Sequence, residues 1–137
     1  MAYFNKVSLL ILNEDQTKFL VCEKNNFTTD FITPGGKIEQ GESDIECLKR
    51  ELMEELCVVP DEPNLQFIGE YTDVASGDTT KDVSIKLYQG TIIGEPTPAH
   101  EIIGIQWVGK EDLNNPRLSP IIKNKIIPDL IAKNILK

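Results

Sequence analysis

Apolar and polar positions follow different periods along the chain, and each change of period marks an element. Residues 4 to 12, FNKVSLLIL, are rich in apolar side chains and predict a central strand. NEDQ predicts a turn, after which Lys18 to Lys24 (KFLVCEK) predicts a second strand pairing back on the first. Asn25 to Asp30 reads as a polar loop, and Phe31-Ile32-Thr33 as a short strand leading into Pro34-Gly35-Gly36. Those two glycines permit positive φ and a close backbone approach. The period then becomes helical: Ile45, Leu48, Leu52 and Leu56 form one stripe. Ser43 with Glu46 three residues later is a capping box that starts this helix, and Pro60 bars its continuation. Leu65 to Asp73 and Val83 to Ile93 predict two long strands of a hairpin, joined by a polar connector, residues 75–81. Ile102 to Val108 predicts a last strand, and Lys110 to Leu113 a helical turn. Ser119 and Pro120 suit the start of a terminal helix running to about residue 135. Its positions Ile122, Ile126 and Leu130, with Ile127 and Ile131 beside them, face inward, and Pro128 should kink it. Strands on both sides of one long helix, closed by a second, predict a single α/β domain over residues 1–137, layered as an α/β/α sandwich.

The charges on the first helix change the picture. Glu51, Glu54 and Glu55 fall within an arc of roughly 100°. Like charges three and four residues apart disfavour a bare helix by a few tenths of a kcal/mol per pair, and a divalent cation would reverse that sign. Oxygen-only ligands suit a hard ion, so Mg2+ or Mn2+ is the expected cofactor.

The spacing around these acids is more specific. Gly36, five residues, Glu42, seven residues, Arg50-Glu51, Leu52, one residue, and Glu54-Glu55 follow one another in order. Six fixed identities at roughly one in fifteen each arise by chance about once in ten million start positions. Leu52 and Val58 fill aliphatic slots, and Pro34-Gly35, Ile38, Glu39 and Gly41 agree with the same pattern. In these residues the chain resembles the Nudix hydrolases (MutT-like), with a signature box over residues 36–58. The EPTPAHEIIGIQWV and RLSPIIKNKIIPDL segments look like a small bacterial branch of unassigned substrate. The resemblance implies the layered fold with a mixed central sheet and a signature loop-helix-loop. It also implies water attack on phosphorus, cleaving the diphosphate linkage of a nucleoside diphosphate derivative such as an NTP or dNTP, a nucleotide sugar or ADP-ribose. Carried over, Glu51, Glu54 and Glu55 would bind the divalent ions, together with the Gly35 carbonyl. Glu51 is also a candidate base, Arg50 would orient a glutamate, and Gly36 and Glu42 would shape the signature loop. A further acid from a late loop is assigned to Glu101, with Asp78 and Asp82 as rivals. His100 is read as a surface residue. The connector at 75–81 either overhangs the active-site rim or is an ordinary hairpin loop. The chain departs from the pattern at Cys57, where the family has a glycine suited to a left-handed helix cap. Either that cap is strained or the helix ends differently. The alternative to catalysis is a nucleotide sensor or binding module without turnover; retention of the acids favours the enzyme.

Composition adds exclusions. A net charge of -8 argues against a nucleic-acid surface but leaves a small phosphorylated substrate open, because bound cations can supply local positive charge. Cys22, Cys47 and Cys57 have no metal or redox spacing, and an odd count suggests a reducing, cytoplasmic compartment. VSLLIL is too short to span a membrane, so no membrane partner is expected. Surplus apolar positions at Ile121, Ile135 and Leu136 suggest a homodimer. Tyr3, Phe4, Phe27, Phe31, Tyr71, Tyr88 and Trp107 could each stack on a base, and none is singled out. Thr33 precedes the proline where some nucleotide-sanitising relatives carry an aromatic, which gives no support to an oxidised-purine preference.

Overall fold

The computed structural model describes residues 2–24 and 30–137. Its centre is a four-stranded mixed sheet in the order β4 (Gly35–Lys37), β1 (Phe4–Leu10), β7 (Asp78–Gln89), β6 (Gln66–Ala75). β1 runs parallel to β7 and antiparallel to β4. A second sheet has the order β3 (Phe31–Ile32), β2 (Phe19–Lys24), β9 (Ile102–Val108), and a small ladder joins β5 (Val59–Pro60) to β8 (Ile92–Ile93).

Period-2 alternation along β1 and β2 feeds two cores. Val7, Leu9, Leu20 and Cys22 point to one side, where they meet Leu48, Leu52 and Leu56 of α1 (Asp44–Leu56). Leu10, Phe19 and Val21 point to the other, where they meet Ile122, Ile126, Ile127 and Leu130 of the terminal helix. Strands therefore lie between two helical layers, as the α/β/α reading expects.

The predicted pairing of β2 back onto β1 is corrected. Only the base of that turn pairs, through the Leu12–Phe19 bridge and a 3.0 Å bond from the Leu20 N–H to the Ile11 carbonyl. β1 already has β4 on one edge and β7 on the other, so β2 turns away and finds β9 and β3. The connector is also shorter than 75–81. Ala75 pairs with Asp78, leaving Ser76 and Gly77 as the turn, and Gly77 at φ 79° supplies the left-handed position a two-residue hairpin needs. The polar loop predicted at Asn25 to Asp30, and Phe27 within it, fall largely outside the described residues.

The capping box at Ser43 forms as read: Ser43 Oγ accepts from the Glu46 N–H at 3.1 Å, and Glu46 accepts from the Ser43 N–H at 2.9 Å. At the other end Cys57 is the C-cap, left-handed at φ 58°. Strain at that position, with its Cβ, is the outcome of the two alternatives. Cys57→Gly should raise stability by about 1 kcal/mol, a rise of a few degrees in Tm that thermal denaturation by circular dichroism would register.

The kink expected at Pro128 takes the form of a π-helical segment, Ile122–Ile126, in which the Ile127 N–H reaches the Ile122 carbonyl before α2 (Ile127–Ala132) resumes. The helix stops at Ala132, short of the predicted residue 135. Asn134 at φ 58° turns the chain back so that the Ile135 and Leu136 N–H groups both meet the Leu130 carbonyl. That return, and the wider π turn, bury Leu136 and Ile121 to 2% and 3% exposure. Ile135 is half-buried, whereas Ile131, expected to face inward, is exposed at 37%. Among the described residues no helix is long and apolar enough to cross a membrane.

Candidate active site

The signature residues assemble around Arg50. Its guanidinium grips Glu42 bidentately, at 2.6 and 2.9 Å, and donates to Glu51 Oε1 at 2.7 Å and to the Lys37 carbonyl at 3.0 Å. Glu42 in turn accepts from the Glu39 N–H at 3.0 Å, so one carboxylate braces the loop and one cation braces the carboxylate. Arg50 holds the Glu42 carboxyl down to about 2. Glu51 lies against Gly36, where a Cβ would sit 2.3 Å from its carboxyl carbon. The absent side chain of Gly36 is what admits that carboxylate.

Glu55 behaves differently from its neighbours. It is buried, at 6% exposure, and Oε1 accepts from the Gly35 N–H at 2.9 Å. Burial pushes its pKa up to about 7, against the pull of that hydrogen bond and of Lys24. Glu54 is exposed and carries no hydrogen bond or ion pair among the described residues. The three acids therefore do not form the single surface patch expected from the helical arc, and among the described residues no three of His, Cys, Asp and Glu stand close enough to hold one ion. Glu51 turns to Arg50 and Glu55 to the Gly35 amide, which satisfies each of them apart from the others. Gly35, at φ 141°, packs against β1 so closely that a Cβ would lie 2.1 Å from the Val7 carbonyl oxygen. Gly36 has no positive φ, so only one of the two glycines uses the conformational freedom expected of both.

Glu101 is exposed, in a turn beside His100, which is itself exposed and left-handed at φ 54°. Its loop is fastened to α1 by the Ala99 N–H to the Glu55 carbonyl, 3.0 Å, and the Thr97 N–H to the Leu56 carbonyl, 2.9 Å. The Glu101 side chain joins no acidic cluster among the described residues. Of its rivals, Asp78 is engaged by Thr80, and Asp82 accepts from the Tyr3 N–H at 2.7 Å.

Beside Gly35 a cleft of about 130 Å³ opens between β1, β3 and the start of the terminal helix. Its polar wall carries Lys6, Ser8, Thr33 and Ser119, and the turn residue Ser76 reaches its edge. Thr33 donates to Ser8 at 2.9 Å, whereas Ser119 Oγ is buried with no partner among the described residues. Burial, then Lys24, holds the Lys6 ammonium down to about 8. Of the seven aromatics considered for stacking, Phe4 alone among those described lines this cleft. Tyr71 and Tyr88 are spent on hydroxyl bonds to Asp129 and Asp44. Lys6, Ser8 and Ser119 were missed from sequence. A signal existed for the first two, since they are the polar positions two apart on one face of an otherwise apolar strand.

The NUDIX domain family model matches residues 3–130. The chain belongs to the NUDIX family. Among solved structures, the NUDIX chain resembles MutT of Methanosarcina mazei at 26% identity and a TM-score of 0.74, covering 97% of this chain and 96% of the other. A MutT structure from a comparison of Aliivibrio salmonicida and Vibrio cholerae matches at 25% identity and 0.68, covering 95% and 97%. The NUDIX domain of Shewanella oneidensis NrtR, complexed with ADP-ribose, matches in fold at 19% identity and 0.70, covering 98% and 90%. No curated protein matches the sequence.

Proposed function

We propose that the chain is a divalent-metal-dependent pyrophosphohydrolase that cleaves the diphosphate linkage of a nucleoside diphosphate derivative. The observation that carries this reading is the docking of two α1 carboxylates, Glu51 and Glu55, on the Gly35-Gly36 backbone, of which Gly35 lines the cleft.

The donor set fits a hard cation. Glu51, Glu54 and Glu55, with the Gly35 carbonyl, offer only oxygen, and burial raises the Glu55 pKa to about 7 against the pull of the Gly35 N–H, Lys24 and Lys6. Mg2+ or Mn2+ held there would neutralise the charge on phosphate oxygens that otherwise repels a nucleophile. The chain's own residues do the rest. Arg50 fixes the direction of Glu51 and, through Glu42, the loop that carries Gly36. Glu54, exposed and without a partner among the described residues, is free to take the proton of a water attacking phosphorus in line, while one oxygen of Glu51 is occupied by Arg50. Gly35 and Gly36 let the backbone come close to the reacting group because no side chain intervenes.

The test is a phosphate-release screen with Mg2+ and with Mn2+. The panel holds nucleoside triphosphates, damaged and undamaged, nucleotide sugars, dinucleoside polyphosphates and ADP-ribose, the ligand of the Shewanella domain. Turnover of at least one compound, abolished by chelation, is expected. Tight nucleotide binding by calorimetry with no cleavage under either ion would replace the enzyme with a sensor.

A further inference from the structure

Lys6 is in an unusual place for a lysine. It lies in β1, which is flanked on both edges, and its cross-strand partner in β4 is another lysine, Lys37. Two like charges directly opposite each other weaken an antiparallel pair. Lys37 lies over the Phe4 ring, 4.6 Å from its centroid, and so stays on the same wall of the cleft. Neither ammonium makes an ion pair among the described residues, although acidic residues outnumber basic ones, 22 to 14, along the chain. A chain this acidic could readily have neutralised them. Two cations on the wall of one cleft beside Gly35, with Lys37 over the Phe4 ring and Lys6 attracted by Glu55 and Glu51 without an ion-pair contact to either, make a site for an anion. The cleft carries an independent mark of a missing ligand in Ser119 Oγ, at 2% exposure and without a hydrogen-bond partner among the described residues.

We propose that Lys6, with Lys37 beside it, grips the diphosphate of the substrate from the cleft side, opposite the carboxylates of α1. This rests on the hydrolase reading for the identity of the ligand, not for the existence of the anion site. Lys6 is then a substrate-binding residue that supplies the basic clamp not recognisable in the sequence, where its lysine is hidden inside an apolar strand.

The experiment is calorimetric titration of inorganic pyrophosphate, in Mg2+, into the wild-type chain, Lys6→Met and Lys6→Arg. Methionine keeps the length and apolar stem and removes the charge. Its affinity is expected to fall at least tenfold and to be largely restored by arginine, with Tm unchanged within a few degrees. Orthophosphate, with half the phosphoryl groups, is expected to lose less than threefold. Should the methionine variant fail to fold, Lys6→Gln and Lys37→Met carry the same comparison. Equal affinity of wild type and charge-removed variants overturns the assignment, as does an equal loss with orthophosphate. If nucleotides are hydrolysed and Lys6→Met is silent, only the clamp fails. If pyrophosphate binding depends on Lys6 but no nucleotide is cleaved, the clamp stands and the hydrolase reading fails.

Discussion

Glu55→Gln is expected to make the metal-free protein more stable and the loaded enzyme nearly inactive. Both effects come from the same buried carboxyl. In the folded chain Glu55 keeps its proton up to about pH 7, whereas its ordinary value is 4.5. Between those values the folded state binds more protons than the unfolded one, so stability falls as pH rises from about 4.5 to about 7 and is flat above. A displacement of that size corresponds to roughly 3 kcal/mol. Glutamine retains an oxygen to accept the Gly35 N–H and cannot ionise, so the variant escapes the loss. Urea denaturation in chelator at a series of pH values should show no difference between the proteins near pH 4.5 and a growing advantage for the variant up to pH 7. Turnover should move the other way. Loss of an outer partner of a metal ligand costs about 10–100-fold, so loss of a proposed ligand should exceed about a hundredfold. Unchanged turnover would remove Glu55 from the site. An unchanged stability difference across pH would show that its burial is not felt as charge.

The two faces of Glu55 also show what could be read from sequence. Grouping it with Glu51 and Glu54 by i+4 and i+1 spacing emphasised charge. The same wheel places it seven residues after Leu48 and three after Leu52, on the apolar stripe, and burial follows that relation. The helix itself was legible to its first residue, because the capping box and the stripe are local features. Pairing of β2 was not, because which edge is free depends on β7, more than fifty residues away in sequence. The π turn at Ile122–Ile126 was legible only as a kink, since Pro128 announces a lost hydrogen bond but not how the helix absorbs it.

The site divides along the same line. Arg50 and Glu42 are eight residues apart on a loop and the helix that follows, and their pairing falls within reach of motif spacing. The cleft is assembled from β1, β3, the β6–β7 turn and the terminal helix, so Lys6, Thr33, Ser76 and Ser119 meet only after folding. Of these, Lys6 and Ser8 left a trace, a polar pair on one face of an apolar strand. Ser119 does start the terminal helix, its carbonyl accepting from the Lys123 N–H at 3.1 Å, while its hydroxyl lines the cleft with no partner among the described residues.

Gly36→Ala and Gly41→Ala, two substitutions of the same chemistry five residues apart, are expected to separate packing from backbone conformation. At Gly36 the φ is ordinary, and the added methyl would lie 2.3 Å from the Glu51 carboxyl carbon and 2.5 and 2.7 Å from its oxygens. The carboxylate is the mobile partner, but its retreat means leaving Arg50, which then holds only Glu42 and the loop. Overpacking of this kind costs about 1–3 kcal/mol. A displacement of about 1 Å in a positioned group can cost on the order of a hundredfold in rate. At Gly41 the φ is +85°, and nothing lies within 4 Å of the would-be Cβ. Alanine there meets no neighbour and suffers only the left-handed strain, about 1–2 kcal/mol. The two variants should therefore lose similar stability by thermal melting, while steady-state kinetics separates them: kcat falls about a hundredfold for Gly36→Ala and stays within about threefold for Gly41→Ala. Equal loss of kcat in both would mean that global stability, rather than the seat of Glu51 on Gly36, limits turnover. No loss in either would take Glu51 out of the chemistry.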